Sequence, residues 1–138
     1  MSDSHREKPV TRKGDTRTRF DEMRQQRGYE LDMHRIMAAA DPDWVAKYGA
    51  FIEATYTVQR LLDRKTKELL QIVVEAALRA DVAQIRAHVR LALEAGATAQ
   101  EILEALQAVI APMGALAFRQ GLQAWAAETG AEPVSVDG

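Results

Sequence analysis

The fold is decided by residues 63–104, which read DRKTKELLQIVVEAALRADVAQIRAHVRLALEAGATAQEILE. Apolar residues recur in this stretch at the three- and four-residue spacings of amphipathic helices. Asp63 and Asp81 each precede such a run, as N-cap residues do, and Gly96 follows the end of the second run. Thr98 opens a capping box before a further helix. The stretch therefore predicts a hairpin of two helices followed directly by a third.

Helical patterns continue on both sides of this hairpin. Residues 17–40 have helical spacing with a break at Gly28, and Asp41 followed by proline is a typical helix start. A last helix is predicted over residues 115–128. No segment shows the alternation of a strand, so we predict an all-α bundle of about six helices built around the hairpin.

The predicted domain organisation is simple because the chain is short. Its 138 residues are a typical length for a single domain. We expect a flexible tail over residues 1–15, a single all-α domain over residues 16–130 and a second tail over residues 131–138.

Composition excludes several classes of function. There is no cysteine, so disulfides, thiolate metal sites and thiol chemistry are excluded. The net charge of −2 gives no overall attraction for nucleic acid or for an anionic membrane, and we expect neither as a partner. The N-terminal region lacks the apolar segment of a secretory signal, which leads us to expect a cytoplasmic protein.

The helix predicted over residues 65–79 carries charges among apolar side chains that cover nearly its whole circumference. We therefore expect this helix to be buried on most sides. Glu68, Glu75 and Arg79 fall on one edge of it at 100° per residue. Because a carboxylate is seldom buried without a partner, this edge predicts a cavity, a cation or a second subunit. Alternatively, Glu75 and Arg79 form an ordinary surface ion pair.

The next helix has a polar edge of its own. His88 borders its apolar stripe, and Asp81 and Gln84 lie on the same line. The hairpin would bring this edge against that of Glu68 and Glu75, surrounding one spot with carboxylates, an amide and an imidazole. A histidine beside an apolar face is otherwise a structural residue, and that reading stays open.

Two further side chains are candidates for the same pocket. His34 lies among core candidates on an early helix, where it either packs or reaches the pocket. Trp125, on the last helix, either packs or walls the pocket. With only three histidines in the chain, we expect no metal site.

Residues 62–69 (LDRKTKEL) and 88–104 (HVRLALEAGATAQEILE) resemble the carboxymuconolactone decarboxylase family, which includes the alkylhydroperoxidase-D-like proteins. The resemblance implies an all-α fold around a helical hairpin, assembled as homotrimers or homohexamers. Redox members carry a Cys-x-x-Cys-x-x-x-His motif. Counting back from His88 puts Asp81 and Gln84 at the two cysteine positions, so this chain is not a thiol peroxidase.

The decarboxylase-type branch then implies cofactor-free loss of CO₂ from a small unsaturated lactone acid. In that chemistry His88 suits the proton donor, Glu68 or Glu75 fixes its tautomer, and Arg79 clamps a substrate anion. Further substrate contacts are expected from four side chains: Gln84, Asp81, His34 and Trp125.

The sequence therefore predicts a lyase or isomerase, without cofactor or metal, for a small carboxylated or enolisable ring compound. We expect His88 to be partly accessible from a pocket bounded by Glu68, Glu75 and the helix over residues 114–125. The alternative is a non-catalytic helical oligomer, or a small-molecule-binding protein of the same fold. A metal-assisted enzyme using His88, His34 and carboxylates is a third hypothesis.

Overall fold

Every regular element in residues 13–136, which the computed structural model describes, is helical. The predicted all-α class is confirmed, with eight α-helices in this range where about six were expected. They are α1 (Lys13–Arg27), α2 (Asp32–Ala40), α3 (Pro42–Ile52), α4 (Arg64–Ala77), α5 (Val82–Glu94), α6 (Ala99–Ala108), α7 (Ile110–Met113) and α8 (Ala115–Thr129). Most of the tail predicted over residues 1–15 lies outside the described residues, as do the last two residues, while α1 begins inside that tail at Lys13.

The helices divide between two compact units, one ending at Thr57 and the other beginning at Val58. The single domain expected over residues 16–130 stays a prediction, and the two units are described separately.

The first unit contains α1, α2 and α3, followed by one π-helical turn at Glu53–Thr57. Its helix boundaries follow the sequence signals. Gly28 follows the end of α1 and has a φ of 84°. Asp41 caps α3, since its Oδ1 accepts the N–H of Trp44 at 3.0 Å. Gly49 is buried against Met23, whose Sδ would lie 2.6 Å from a Cβ at position 49, so a larger residue there would displace the Met23 side chain at this contact of α3 with α1.

The second unit is built on the predicted hairpin of α4 and α5, and α8 packs against both of its helices and against α6. Asp63 and Asp81 cap α4 and α5, and Thr98 and Glu101 form the predicted capping box of α6. Between these helices lies one apolar core, formed by Ile72, Ala76, Ile85, Val89, Ala92, Ala97, Ile102, Leu106 and Ala124.

The turn between α4 and α5 ends the first helix earlier than the sequence indicates. Arg79 has a φ of 56°, and the N–H of Ala80 donates to the carbonyl of Glu75 while that of Arg79 donates to Ala76. This pair of bonds is a Schellman motif. Gly96 holds the same place after α5. Arg79 therefore does not continue the edge of Glu68 and Glu75, and that expectation is wrong.

One face of α4 is apolar and exposed. Leu70, Val74 and Leu78, spaced four residues apart, are 49%, 52% and 77% exposed. The expectation that this helix is buried on most sides is thus wrong for a single copy of the chain. None of the helices in residues 13–136 is both long and apolar enough to cross a membrane.

Candidate functional site

Two buried carboxylates from α4 flank the imidazole of His88 on α5. Its Nδ1 lies 2.7 Å from Oε2 of Glu68, and its Nε2 lies 3.3 Å from Oε1 of Glu75. Glu68 and Glu75 stand seven residues apart, two turns along one edge of α4, so the ring fits between them. The hairpin brings together three of the side chains that the sequence predicted to meet.

This cluster is almost sealed from solvent in a single chain. Glu68 is 0% exposed, His88 1% and Glu75 8%. The expectation that His88 is partly accessible is therefore wrong for the isolated chain. A carboxylate or an imidazolium costs several kcal/mol to bury alone, but here each charge has an opposite charge beside it.

The carboxylates keep His88 protonated. Burial lowers the pKa of the imidazole, but the interactions with Glu68 and Glu75 outweigh burial and raise the pKa from 6.5 to about 9. Both ring nitrogens of an imidazolium carry a proton; Nδ1 is in hydrogen-bond contact with Glu68, and Nε2 faces Oε1 of Glu75 at ion-pair distance. The site thus holds an exchangeable proton at neutral pH.

Two further side chains extend the cluster at its ends. Nε of Arg64, in the first turn of α4, donates to Oε1 of Glu68. Nε2 of Gln84 donates to Oε1 of Glu75 at 2.7 Å. The result is a continuous polar chain in which cations and carboxylates alternate before the terminal amide. We define the relay cluster as Arg64, Glu68, His88, Glu75 and Gln84.

Arg64 is the member of the relay cluster that the sequence reasoning missed. Its signal was present, because it precedes Glu68 by four residues and such pairs face each other on a helix. Its side chain is 29% exposed, so it connects the buried carboxylate to the surface.

The two carboxylate oxygens of Glu75 differ in their hydrogen bonds. Its Oε1 accepts from Gln84, whereas its buried Oε2 accepts no hydrogen bond from the residues that the structure describes. A buried carboxylate oxygen normally has a donor. Oε2 therefore keeps the capacity to accept a hydrogen bond.

The other predicted site residues have different surroundings. Arg79 is exposed in the α4–α5 turn and forms no ion pair with Glu75, so the alternative of a surface pair is wrong as well. Asp81 is exposed and caps α5 through the N–H of Ala83 at 2.7 Å. Trp125 packs against the core while its indole donates to the carbonyl of Ala99 at 2.8 Å. These contacts are structural, and a substrate role for these three residues stays a prediction.

His34 lies in the first unit. It is 8% exposed, and its ring contacts are with Arg27, with the Leu31 N–H and with Tyr29. Its assignment to the substrate pocket stays a prediction.

In the described part of the chain, no group of three histidine, aspartate or glutamate side chains is placed to hold a metal ion. The described residues thus offer the metal-assisted hypothesis no ligand set.

The chain matches a known protein family. The sequence profile of the carboxymuconolactone decarboxylase family matches residues 42–127, which is more than half of the chain. The matched range includes all of the relay cluster. Neither a curated protein nor a solved structure matches this chain.

Proposed function

Because this chain belongs to the carboxymuconolactone decarboxylase family, we propose that it is a cofactor-independent lyase or isomerase that acts by proton transfer. Its substrate is a small carboxylated or enolisable ring compound. The observation that carries the proposal is the imidazole of His88 held between two buried carboxylates.

The chemistry needs a stored proton and a base. When a carboxylate that is β to a carbonyl group, or vinylogous to one, leaves as CO₂, the electron pair of the broken C–C bond passes into that carbonyl group as an enolate or dienolate. A proton must then be delivered to carbon. The imidazolium of His88 supplies such a proton, since its pKa of about 9 keeps it charged at neutral pH. An isomerisation uses the same groups, with a carboxylate first removing a proton from carbon.

Glu75 carries the proton between His88 and the substrate in this proposal. It is the most exposed member of the Glu68–His88–Glu75 trio, and its Oε2 has no donor among the described residues. Gln84 positions the carboxylate by donating to Oε1. Glu68 contacts the far side of the imidazole and compensates its charge, while Arg64 donates to Glu68. Arg79, exposed in the α4–α5 turn, is the proposed clamp for the substrate carboxylate.

The test measures turnover on a panel of lactone acids and β-keto acids that includes carboxymuconolactone, by CO₂ release and ring absorbance. A second readout is deuterium incorporation at the enolisable carbon. We expect Glu75→Gln and His88→Asn to lower the rate by about 10²-fold or more per folded molecule, as loss of a general acid or base does. Glu94→Gln, an exposed carboxylate on the same hairpin, is the matched control and keeps the wild-type rate.

The burial of His88 favours a second candidate, a non-catalytic oligomer in which the relay cluster only fixes helix pairing. The same variants separate the two. If the wild type turns over no member of the panel, or if Glu75→Gln and His88→Asn lower the melting temperature but leave turnover within threefold of wild type, the enzymatic proposal is wrong.

We also propose that the protein is a homotrimer or homohexamer. The support is the exposed face of α4, where Leu70, Val74 and Leu78 form an apolar stripe. Light scattering is expected to give three or six times 15.3 kDa. Val74→Glu, which places a charge at the centre of the stripe, should dissociate the assembly, whereas Glu104→Gln should not. A wild-type mass of one chain at micromolar concentration contradicts this.

A further inference from the structure

We propose that Gln120 of α8 is a positioning residue of the relay cluster, because it holds the α4–α5 turn in the conformation in which Gln84 meets Glu75. A role of Gln120 in turnover rests on the proposed function, whereas the positioning itself can be tested without any substrate. The inference is carried by hydrogen bonds that join α8 to the turn and the turn to Glu75.

The α4–α5 turn is strained at Arg79. Its φ of 56° lies in the left-handed region, which residues other than glycine occupy at a cost in free energy. Such a conformation persists only where surrounding contacts hold it. Two of these contacts are the bonds of the Schellman motif, from the N–H of Ala80 to Glu75 at 2.9 Å and from that of Arg79 to Ala76 at 3.0 Å. Both acceptors belong to α4, so these bonds do not fix the turn against another helix.

Gln120 supplies the contact from another helix. Its Nε2 donates to the carbonyl of Ala80 at 2.7 Å, so Ala80 is bonded to α4 through its N–H and to α8 through its carbonyl. The side chain reaches the turn because α8 lies close to α4 at the neighbouring residue. A Cβ at Gly121 would lie 3.1 Å from the Cβ of Ala76. The half-buried Gln120 therefore ties the turn to the packed body of the second unit.

The turn sets how Gln84 meets Glu75. Gln84 lies in the first turn of α5, where its backbone N–H donates to the carbonyl of Asp81 at 3.0 Å. Its side chain reaches back across the hairpin to Oε1 of Glu75 at 2.7 Å. If Arg79 relaxed to a negative φ, the start of α5 would shift relative to the end of α4, and this side-chain bond would lengthen. Gln120 thus acts on Glu75 through the turn and Gln84.

The experiment compares the full-length wild type with Gln120→Met, which keeps the length and helix propensity of the side chain but removes the donor. The N–H of Ala80 should exchange with solvent about five- to tenfold faster, as expected for the loss of one hydrogen bond. The titration midpoint of the His88 ring, followed by its ¹⁵N resonances, should fall by at least about half a pH unit, because Glu75 is no longer held beside it. Gln123→Met, an exposed position on the same helix, is the matched control and should change neither readout.

A second substitution tests whether the effect passes through the turn. Because glycine adopts a positive φ at little cost, adding Arg79→Gly to Gln120→Met should restore both readouts towards wild type. A His88 midpoint that Gln120→Met leaves unchanged, or that Arg79→Gly does not restore, overturns the proposal. Faster exchange throughout α5 would indicate a general loosening and overturns it too. Neither readout needs turnover, so an inactive wild type would contradict the proposed function and not the positioning of Glu75.

Discussion

Replacing Glu68 with alanine is expected to lower the free energy of unfolding by about 3–5 kcal/mol, the usual cost of removing one partner from a buried ion pair. Glu68 is 0% exposed and lies between Arg64 and His88. Without it the imidazolium has Glu75 as its remaining carboxylate, and a cavity replaces the side chain. Urea denaturation followed by circular dichroism measures the change.

The matched control is Glu104→Ala, because Glu104 is an exposed carboxylate of the same unit that accepts a hydrogen bond from Gln100. Its effect should stay within about 0.5 kcal/mol. The double variant Glu68→Leu with His88→Leu should cost less than the sum of the two single changes, since neither charge is then left alone. A loss for Glu68→Ala as small as that for Glu104→Ala would show that the buried pair does not stabilise the fold.

The second large effect is a loss of stability at alkaline pH. The pKa of His88 is raised from 6.5 in the unfolded chain to about 9 in the folded one, so the folded state binds the proton more tightly. The stabilisation is complete below pH 6.5 and is lost as the pH rises through 9. The difference of pKa corresponds to roughly 3 kcal/mol. The free energy of unfolding, measured in urea between pH 6.5 and 9.5, should fall by about this amount.

His88→Asn is the control for that pH dependence, because it removes the titrating group and should abolish most of the slope. His34 does not interfere, since its pKa is lowered to about 4 and its contribution is lost on the acid side, between pH 6.5 and 4. A wild-type stability that is flat from pH 6.5 to 9.5 would contradict the assignment of the raised pKa.

Helix starts were predictable because their chemistry is local. Asp41, Asp63, Asp81 and Thr98 each cap a helix where the sequence indicated. The meeting of Glu68, Glu75 and His88 was predictable for a related reason, since helical periodicity fixes which side chains share an edge and a short turn fixes which edges face each other.

The end of α4 could not be predicted in the same way. Gly96 marks the end of α5 because glycine adopts a positive φ at little cost. Arg79 occupies the equivalent position after α4 with no such signal, because the cap at Asp81 leaves few residues for the turn. Burial also depends on more than periodicity. Leu70, Val74 and Leu78 have the spacing of core residues, yet no helix of the described chain covers them.

Titration of His88 tests the central claim most directly. The ¹⁵N and ¹H resonances of its ring in the folded protein report the charge of the imidazole at each pH. The relay cluster predicts an imidazolium with protons on both nitrogens through neutral pH, losing its charge near pH 9. A ring that is neutral at pH 7, with a midpoint at or below 6.5, would contradict a stored proton between Glu68 and Glu75 and the proposed function with it.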